Sequence, residues 1–279
     1  MCIGIKLLIN CPIKNILWKY SANFCIIERE VIYINALENN HYVFEVSLIK
    51  EKIKAYDRYP FIIPAIAKMD NIELHPKVTF FVGENGTGKS TLLEAIAVTF
   101  GLNAEGGSKH FNFNTKVSHS ELHENILLRK GIKRARDSYF LRAESFYNVA
   151  TTIDDLDVNY GYNNKSLHAQ SHGESFMSLF LHRFIGNGFY ILDEPEAALS
   201  PLRQMAFLCR LHQLIEANSQ FIIATHSPII LAYPNSVIYH FSEAGIKTIA
   251  YEETDHFIIN KRFANNYKGV LRELMITNS

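Results

Sequence analysis

The hydrophobic positions of the chain gather into short runs that end in polar residues. Three such runs are KVTFFV from Lys77, GFYIL from Gly188 and QFIIA from Gln220, and each is almost wholly apolar. Apolar runs of this length are typical of strands buried on both faces of a sheet. We therefore predict three buried strands, which lead into the residues GENGTGKS, DEP and THS.

Helical periodicity occupies the stretches between these strands. One face of the helix after the first strand carries apolar side chains, namely Leu92, Leu93, Ile96, Ala97 and Phe100. Further helices are predicted over residues 174–184 and 200–217, and a closing strand is predicted near SVIYHF. Strands that alternate with helices indicate an α/β fold with a mainly parallel sheet flanked by helices.

Three regions lie outside this core. YVFEVSLIK, from Tyr42, alternates like an edge strand and predicts a smaller antiparallel sheet near the N-terminus. Residues 101–170 are polar and rich in glycine and asparagine, and they predict an insertion of short helices and loops around the strand-like YFLRAESF. Residues 1–41 differ in composition, so we expect an N-terminal extension at 1–41 and one α/β domain at 42–279.

Charge and cysteine content limit the binding partners and the cellular compartment that the sequence favours. The 28 basic and 28 acidic residues cancel, so no strong global field would attract nucleic acid or anionic membrane. The four cysteines lack metal-ligand spacing and disulfide density, which favours reduced thiols in the cytoplasm. No run approaches the roughly 18 apolar residues of a membrane span, so direct membrane insertion is not expected.

The stretch GENGTGKS, followed by a threonine, matches the phosphate-loop pattern in full. Its residues are Gly83, Glu84, Asn85, Gly86, Thr87, Gly88, Lys89, Ser90 and Thr91. In such a loop, backbone N–H groups converge on phosphate oxygens at a helix N-terminus. Lys89 would reach the β- and γ-phosphates and Ser90 would ligate Mg²⁺. The alternative is a glycine-rich turn that matches by chance.

Two further strand ends carry candidate catalytic residues. Asp193 suits a Mg²⁺ contact and Glu194 suits a general base that activates the attacking water, although a solvated turn capped by the two acids is the alternative. His226 follows the strand QFIIAT. Because parallel strands deliver their carboxyl ends to one edge, we expect His226 to contact the γ-phosphate. Zinc is disfavoured, since His226 has no partner at ligand spacing.

The stretch SHGES at residues 171–175 resembles the components of a serine hydrolase. A nucleophile elbow needs Gly-x-Ser-x-Gly, but Met177 stands where the second glycine would be. The order of SHGES, ILDEPEAALS and ATHS after the phosphate loop instead resembles the signature, Walker B, D-loop and switch regions of ATP-binding cassette (ABC) ATPases. FFVGENGTGKSTLLEAIA, FLRAESFYNVATTID and IIATHSPIILAYP are similar to short, standalone bacterial ATPases of that class.

This resemblance implies a head-to-tail homodimer that encloses ATP and Mg²⁺. Ser171, Gly173 and Glu174 would bind the γ-phosphate held by a second copy, with Glu174 where transporters carry glutamine. A glutamate at this position is similar to the signature motif in the heads of chromosome-maintenance and recombination ATPases. Glu144 is the candidate for the Q-loop position near Mg²⁺. His172 and Ser200 depart from the usual glycine and aspartate.

Several functions remain open at this point. A soluble ATP-driven switch in nucleic-acid maintenance or defence would act with a nucleic acid or an effector protein, whereas a transporter subunit would need a separate permease. A kinase or GTPase lacks support because no Asn-Lys-x-Asp motif follows. The basic cluster RKGIKRAR, at 129–136, is either a solvated face or a site for an acidic partner. Arg58 and Tyr59 are candidates for contacts with adenine.

Overall fold

The computed structural model describes residues 41–108, 120–143 and 172–276, without the side chains of 172–175 and 276. The chain divides between Asn40 and His41 into two units, and the description that follows concerns the second. Ten strands and six α-helices are described in it. The strands are β1 (Val43–Leu48), β2 (Asn71–Glu73), β3 (Val78–Val82), β4 (Gly107–Ser108), β5 (Ile126–Lys130), β6 (Asp137–Arg142), β7 (Gly188–Asp193), β8 (Gln220–Ala224), β9 (Ser236–Ser242) and β10 (Gly245–Thr248). The α-helices are α1 (Pro64–Ala67), α2 (Lys89–Phe100), α3 (His172–His182), α4 (Pro201–Glu216), α5 (Pro228–Leu231) and α6 (Asp255–Ile276).

The larger sheet has seven strands in the order β10-β9-β3-β8-β7-β6-β4. The five central strands run parallel, whereas β10 and β4 pair antiparallel with their neighbours. Adjacent β3, β8 and β7 therefore bring their carboxyl ends to the same edge. This arrangement confirms the predicted α/β class and the mainly parallel sheet.

Successive residues of the central strands enter two different apolar clusters. Phe80 of β3 and Tyr190 of β7 belong to the cluster that includes α3 and α4 side chains, whereas Phe81 and Ile191 belong to the cluster that includes α2. Alternation of this kind follows from the two-residue period of a strand. The almost continuous apolar runs of the sequence thus reflect burial on both faces.

The smaller sheet is antiparallel, in the order β2-β1-β5, with Val46 opposite both Ile72 and Leu128. This sheet confirms the strand predicted from YVFEVSLIK. One buried side chain joins it to the larger sheet. The Gln220 amide accepts from the backbone N–H groups of Tyr42 (2.9 Å) and Val43 (3.0 Å), and donates to the carbonyls of Val43 (2.8 Å) and His75 (3.1 Å).

A polar cluster closes the amino-terminal end of β6 and β7, opposite the edge where the phosphate loop emerges. Buried Asp137 accepts two hydrogen bonds from Arg183 Nη1, at 2.9 and 3.0 Å, and one from the Tyr190 hydroxyl at 2.8 Å. Burial, together with the Asp137 charge, raises the pKa of Tyr190. This buried carboxylate is therefore paired, as a buried charge requires.

The helix boundaries lie close to those expected from periodicity. The helix predicted over 174–184 is His172–His182, and that predicted over 200–217 is Pro201–Glu216 with Ser200 at its N-cap. Strand β10 and the long helix α6 were not predicted. In the part of the chain that the structure describes, no helix combines the length and apolarity needed to cross a bilayer.

Candidate active site

The phosphate-loop residues connect β3 to α2 through a backbone that only glycine adopts readily. Gly83 has φ 141°, and a Cβ atom there would lie 2.3 Å from the Phe241 carbonyl oxygen. Gly88, at φ 97°, precedes the first residue of α2 and would place a Cβ 3.0 Å from Ile66. The loop therefore passes close to β9 and α1 and presents its backbone at the N-terminus of α2.

Lys89 folds back into the loop. Its side chain is buried, and Nζ donates to the carbonyl oxygens of Gly83 (2.7 Å) and Glu84 (2.8 Å). Burial lowers the pKa of Lys89, while the nearby charges of Glu194 and Asp193 act in the opposite direction. A buried ammonium held by neutral carbonyls is a site for an anion, and phosphate oxygens are suitable acceptors.

Ser90 and Asp193 meet beside the loop. The Ser90 hydroxyl donates to Asp193 Oδ1 at 3.1 Å, and Asp193 is 6% exposed. Arg142 at the end of β6 places Nε 3.6 Å from Asp193 Oδ2 and donates from Nη1 to Glu94 at 3.0 Å. The structure thus brings together Ser90 and Asp193, two of the three residues predicted near Mg²⁺, with a guanidinium supplying positive charge beside them.

The oxygen atoms of Ser90 and Asp193 are suitable as the protein ligands of a Mg²⁺ ion. A hydroxyl and a carboxylate are the hard oxygen ligands that Mg²⁺ prefers. Within the described ranges, no group of three or more His, Cys, Asp or Glu side chains is arranged to bind a metal. Mg²⁺ commonly takes one or two protein ligands and completes its shell with phosphate oxygens and water. Ser90 and Asp193 match that pattern.

Glu194 follows Asp193 in a left-handed backbone conformation, with φ 53° and ψ 52°. Its N–H donates to the Ala224 carbonyl of β8 at 2.9 Å, and its side chain is 40% exposed. The carboxylate Oε1 lies 3.7 Å from Nε2 of His226. The two residues predicted to act at the γ-phosphate therefore face each other across the ends of neighbouring strands.

Two further residues hold His226 in place and were not predicted from the sequence. Glu196 accepts from the Thr225 hydroxyl at 2.7 Å and from the His226 N–H at 2.5 Å. His256 of α6 brings its Nε2 to 3.1 Å from His226 Nδ1. The spacing EPEA after β7 was the signal available for Glu196, whereas His256 lies 30 residues away, past β9 and β10.

One cavity adjoins the phosphate loop, and a second lies beside the candidate adenine contacts. One, of about 290 Å³, lies between the loop and α6 and is lined by His226, His240 and His256. The other, of about 730 Å³, is lined by Arg58 and Tyr59. The Tyr59 hydroxyl lies 3.1 Å from the hydroxyl of Thr91 in α2, so the candidate adenine contacts stand next to the phosphate-loop helix.

The remaining predicted residues divide between the loop, α3 and the undescribed parts of the chain. On the loop, the Thr87 hydroxyl donates to the Glu84 carbonyl at 2.8 Å, beside Asn85 and Gly86. Gly173 and Glu174 belong to the first turn of α3. Their side chains, like all of Ser171 and Glu144, fall outside the described residues.

The basic cluster is partly engaged by its own surroundings. Arg129 donates to Glu45 at 2.9 Å, and Lys130 Nζ donates to the Thr99 carbonyl at 3.3 Å while lying 5.1 Å from the Phe100 ring centre. Ile132, between these cations and the rest of the cluster, is 88% exposed. Two of the cluster's cations therefore have local structural contacts.

Comparisons with known proteins agree with the motifs. Residues 65–166 match a family described as "AAA domain", and residues 175–232 match one described as "AAA domain, putative AbiEii toxin, Type IV TA system". An 88-residue segment is 44% identical to the DNA replication and repair protein RecF of Colwellia psychrerythraea. It covers 32% of this chain and 21% of RecF, so the match spans about a fifth of that relative.

Solved structures to which the chain is similar include a part of an ABC transporter complex and an SMC head domain. CbiO1 of the cbiONQ ABC transporter complex from Clostridium perfringens is 20% identical, with 84% of this chain and 99% of that chain covered and a TM-score of 0.45. The SMC head domain from Thermotoga maritima is 15% identical, with 75% and 98% covered and a TM-score of 0.42.

The strand order, the phosphate loop and the acidic end of β7 define the class of this protein. With matches to AAA domains on both sides of residues 167–174, the chain is a P-loop ATPase. This confirms the ATPase expected from the phosphate loop and the acidic strand end. The reading as a serine hydrolase is not needed, because residue 175 lies in the first turns of α3 and the acidic pair lies at the phosphate loop.

Proposed function

We propose that the chain binds ATP with Mg²⁺ at residues 83–91, hydrolyses it to ADP and phosphate, and works as an ATP-dependent switch. The observation that carries this proposal is the buried ammonium of Lys89 inside the loop, with Asp193 and Glu194 beside it. A triphosphate would supply acceptors for that ammonium and for the backbone N–H groups of the loop.

Binding of ATP would replace hydrogen bonds that Lys89 and Ser90 make within the protein. The Lys89 ammonium leaves the carbonyls of Gly83 and Glu84 for β- and γ-phosphate oxygens. Ser90 and Asp193, which are hydrogen-bonded to each other, would hold Mg²⁺, and the bound ion would neutralise negative charge on the phosphates. Arg142 stays close to Asp193, where its guanidinium supplies positive charge and orients that carboxylate.

Hydrolysis is assigned to Glu194 as general base. Its exposed carboxylate takes a proton from water as the water oxygen bonds to the γ-phosphorus and the bond to the β-phosphate oxygen breaks. His226 Nε2, 3.7 Å from Glu194, is placed to donate to the γ-phosphate. Both residues sit on strand ends fixed by the sheet, which favours precise positioning of the water.

The switch is proposed to be a head-to-tail dimer. In this arrangement Ser171, Gly173 and Glu174 of one copy bind the γ-phosphate held by the loop of the other. The position of Gly173 and Glu174 in the first turn of α3 supports this role, because a helix N-terminus favours anions. The resemblance of the motif order to ABC ATPases is its second support.

Nucleic-acid maintenance or defence is the proposed setting. The segment similar to RecF, a DNA replication and repair protein, supports the first, and the match to a toxin-associated AAA family supports the second. Stimulation of ATP hydrolysis by DNA or RNA would favour nucleic-acid maintenance. Stimulation by neither, together with capture of an effector protein by the ATP-bound chain, would favour defence.

The ATPase proposal is tested with three single variants and a control. Lys89→Ala is expected to abolish ATP binding, whereas Glu194→Gln is expected to bind ATP but to hydrolyse it slower by a factor on the order of 10² to 10⁴. Ser175→Ala and the control Glu243→Gln, an exposed glutamate in a turn, should remain near wild type. Phosphate release and equilibrium ATP binding measure the two properties. Wild-type hydrolysis in Lys89→Ala would refute the proposal.

A further inference from the structure

His226 has different neighbours at its two ring nitrogens. Nδ1 lies 3.1 Å from Nε2 of His256, within hydrogen-bonding distance. Nε2 is buried and has no hydrogen-bond partner among the described residues, and the carboxylate of Glu194 is 3.7 Å away. The ring is therefore held from one side by α6 and directed on the other side toward the proposed reaction centre.

These neighbours select one tautomer of His226. A carboxylate opposite Nε2 favours a proton on that nitrogen, because a lone pair there would face negative charge. In a neutral ring Nδ1 is then an acceptor, so the proton in the hydrogen bond must come from Nε2 of His256. Burial, and next the charge of His226, lowers the pKa of His256, which favours the neutral donor.

The segment that carries His256 is fixed to the loop that carries His226. Thr254, 1% exposed, accepts from the Phe257 N–H at 3.2 Å at the start of α6. The Tyr251 hydroxyl donates to the carbonyl of Pro228, two residues after His226, at 2.8 Å. The two histidine rings are 5.2 Å apart at their centres. His256 is thus anchored independently of its bond to His226.

We propose that His256 is a positioning residue for His226, donating from Nε2 to Nδ1 so that the free Nε2–H of His226 faces Glu194 and the phosphate loop. The inference rests on the proposed role of His226 at the γ-phosphate and makes the start of α6 a part of the catalytic arrangement. A metal shared by these rings is not supported, since the described residues form no cluster of three metal-binding side chains.

The experiment compares variants of His256 whose side-chain amides place their N–H groups at different distances from His226. His256→Gln puts an amide nitrogen near the position of Nε2 and should preserve the bond, whereas the shorter His256→Asn should not reach Nδ1. His256→Leu removes the donor altogether. His240→Gln is the control, because His240 lines the same cavity. The Gln and Asn variants keep the comparison decisive if the Leu variant does not fold.

Two readouts distinguish positioning from simple loss of structure. Nitrogen-15 NMR of histidine, assigned with a His226→Gln spectrum, reports the His226 tautomer without ATP. The expected result is protonated Nε2 in wild type, His256→Gln and His240→Gln, and a mixed tautomer in the Asn and Leu variants. For the last two, kcat should fall about tenfold, the scale of one hydrogen bond, with KM nearly unchanged.

An unchanged tautomer in His256→Asn and His256→Leu would overturn the inference, as would a changed tautomer with unchanged kcat. A wild-type chain that hydrolyses no ATP would instead refute the proposed function. In that case the tautomer measurement would still decide whether His256 sets the state of His226.

Discussion

At the scale of single residues, the site depends on positions whose chemistry has no close substitute. Gly83 is the clearest, because its φ of 141° and the carbonyl of Phe241 leave no room for a side chain. Lys89 is another, since its ammonium is the buried cation around which the loop closes. Both were predicted from the sequence, because a contiguous motif carries its own geometry.

Gly83→Ala is expected to lower the free energy of unfolding by roughly 3 kcal/mol or more, because backbone strain and a steric clash act together. Gly101→Ala is the matched control. Gly101 also has a positive φ, 100°, but a Cβ there meets nothing within 4 Å, so only strain of about 1–2 kcal/mol is expected. Urea denaturation of both variants measures the difference. Equal losses would show that the contact with Phe241 relaxes at little cost.

The residues that sequence reasoning missed share a physical cause. Glu196 and His256 act through hydrogen bonds to the loop around His226, about 30 residues away in either direction. Neither belongs to a periodic pattern or a contiguous motif. Their partners become neighbours only when strands β7, β8 and β9 and the segment after β10 are placed side by side.

At the scale of elements, the almost wholly apolar strands and the amphipathic helices were predictable, and α6 was not. Helix α6 has Ile259, Phe263 and Tyr267 on its surface, each between 45% and 62% exposed. These apolar residues of α6 are therefore not buried in the described fold, and their pattern does not reveal a buried helix face. Asn266, with φ −151°, also interrupts its helical backbone and divides the periodicity.

The link between the two sheets gives a prediction at this scale. Gln220→Ala removes the side chain that bonds the N–H groups of Tyr42 and Val43 and the carbonyls of Val43 and His75. Because these four backbone groups lose their partner, the free energy of unfolding should fall by about 3–5 kcal/mol. Neighbouring Ser219→Ala is the control, because the buried Ser219 hydroxyl has no hydrogen-bond partner in the described chain. Chemical denaturation followed by circular dichroism measures both. A loss below about 1 kcal/mol for Gln220→Ala would mean that water replaces the amide.

At the scale of the whole molecule, the sequence predicted the class of the fold but not the arrangement of its strands. The alternation of strands and helices indicated a parallel sheet, and the motifs indicated which ends share an edge. The order β10-β9-β3-β8-β7-β6-β4 depends on contacts between distant segments that periodicity does not encode. The small sheet was expected, whereas its connection through Gln220 was not.

Association belongs to this scale. With saturating ATP and Mg²⁺, Glu194→Gln is expected to elute at roughly twice the 31.9 kDa of one chain, because bound ATP persists and holds two copies together. Size-exclusion chromatography with light scattering measures the mass. The double variant Lys89→Ala, Glu194→Gln should stay monomeric, since it cannot hold the nucleotide. A monomeric Glu194→Gln under these conditions would contradict the head-to-tail dimer.

The hydrogen bonds of Gln220 that join the two sheets have a consequence for synthesis of the chain. Val43 and the amide that binds it are separated by 177 positions, and β3 pairs on both sides with strands that follow position 219. A ribosome delivers residues from the N-terminus onward, so β3 emerges long before β8 and β9 exist, and Val43 emerges long before Gln220. Strand β3 must therefore wait, unpaired on both edges, until most of the chain has been made, and β1 can pair with β2 and β5 before Gln220 joins the two sheets.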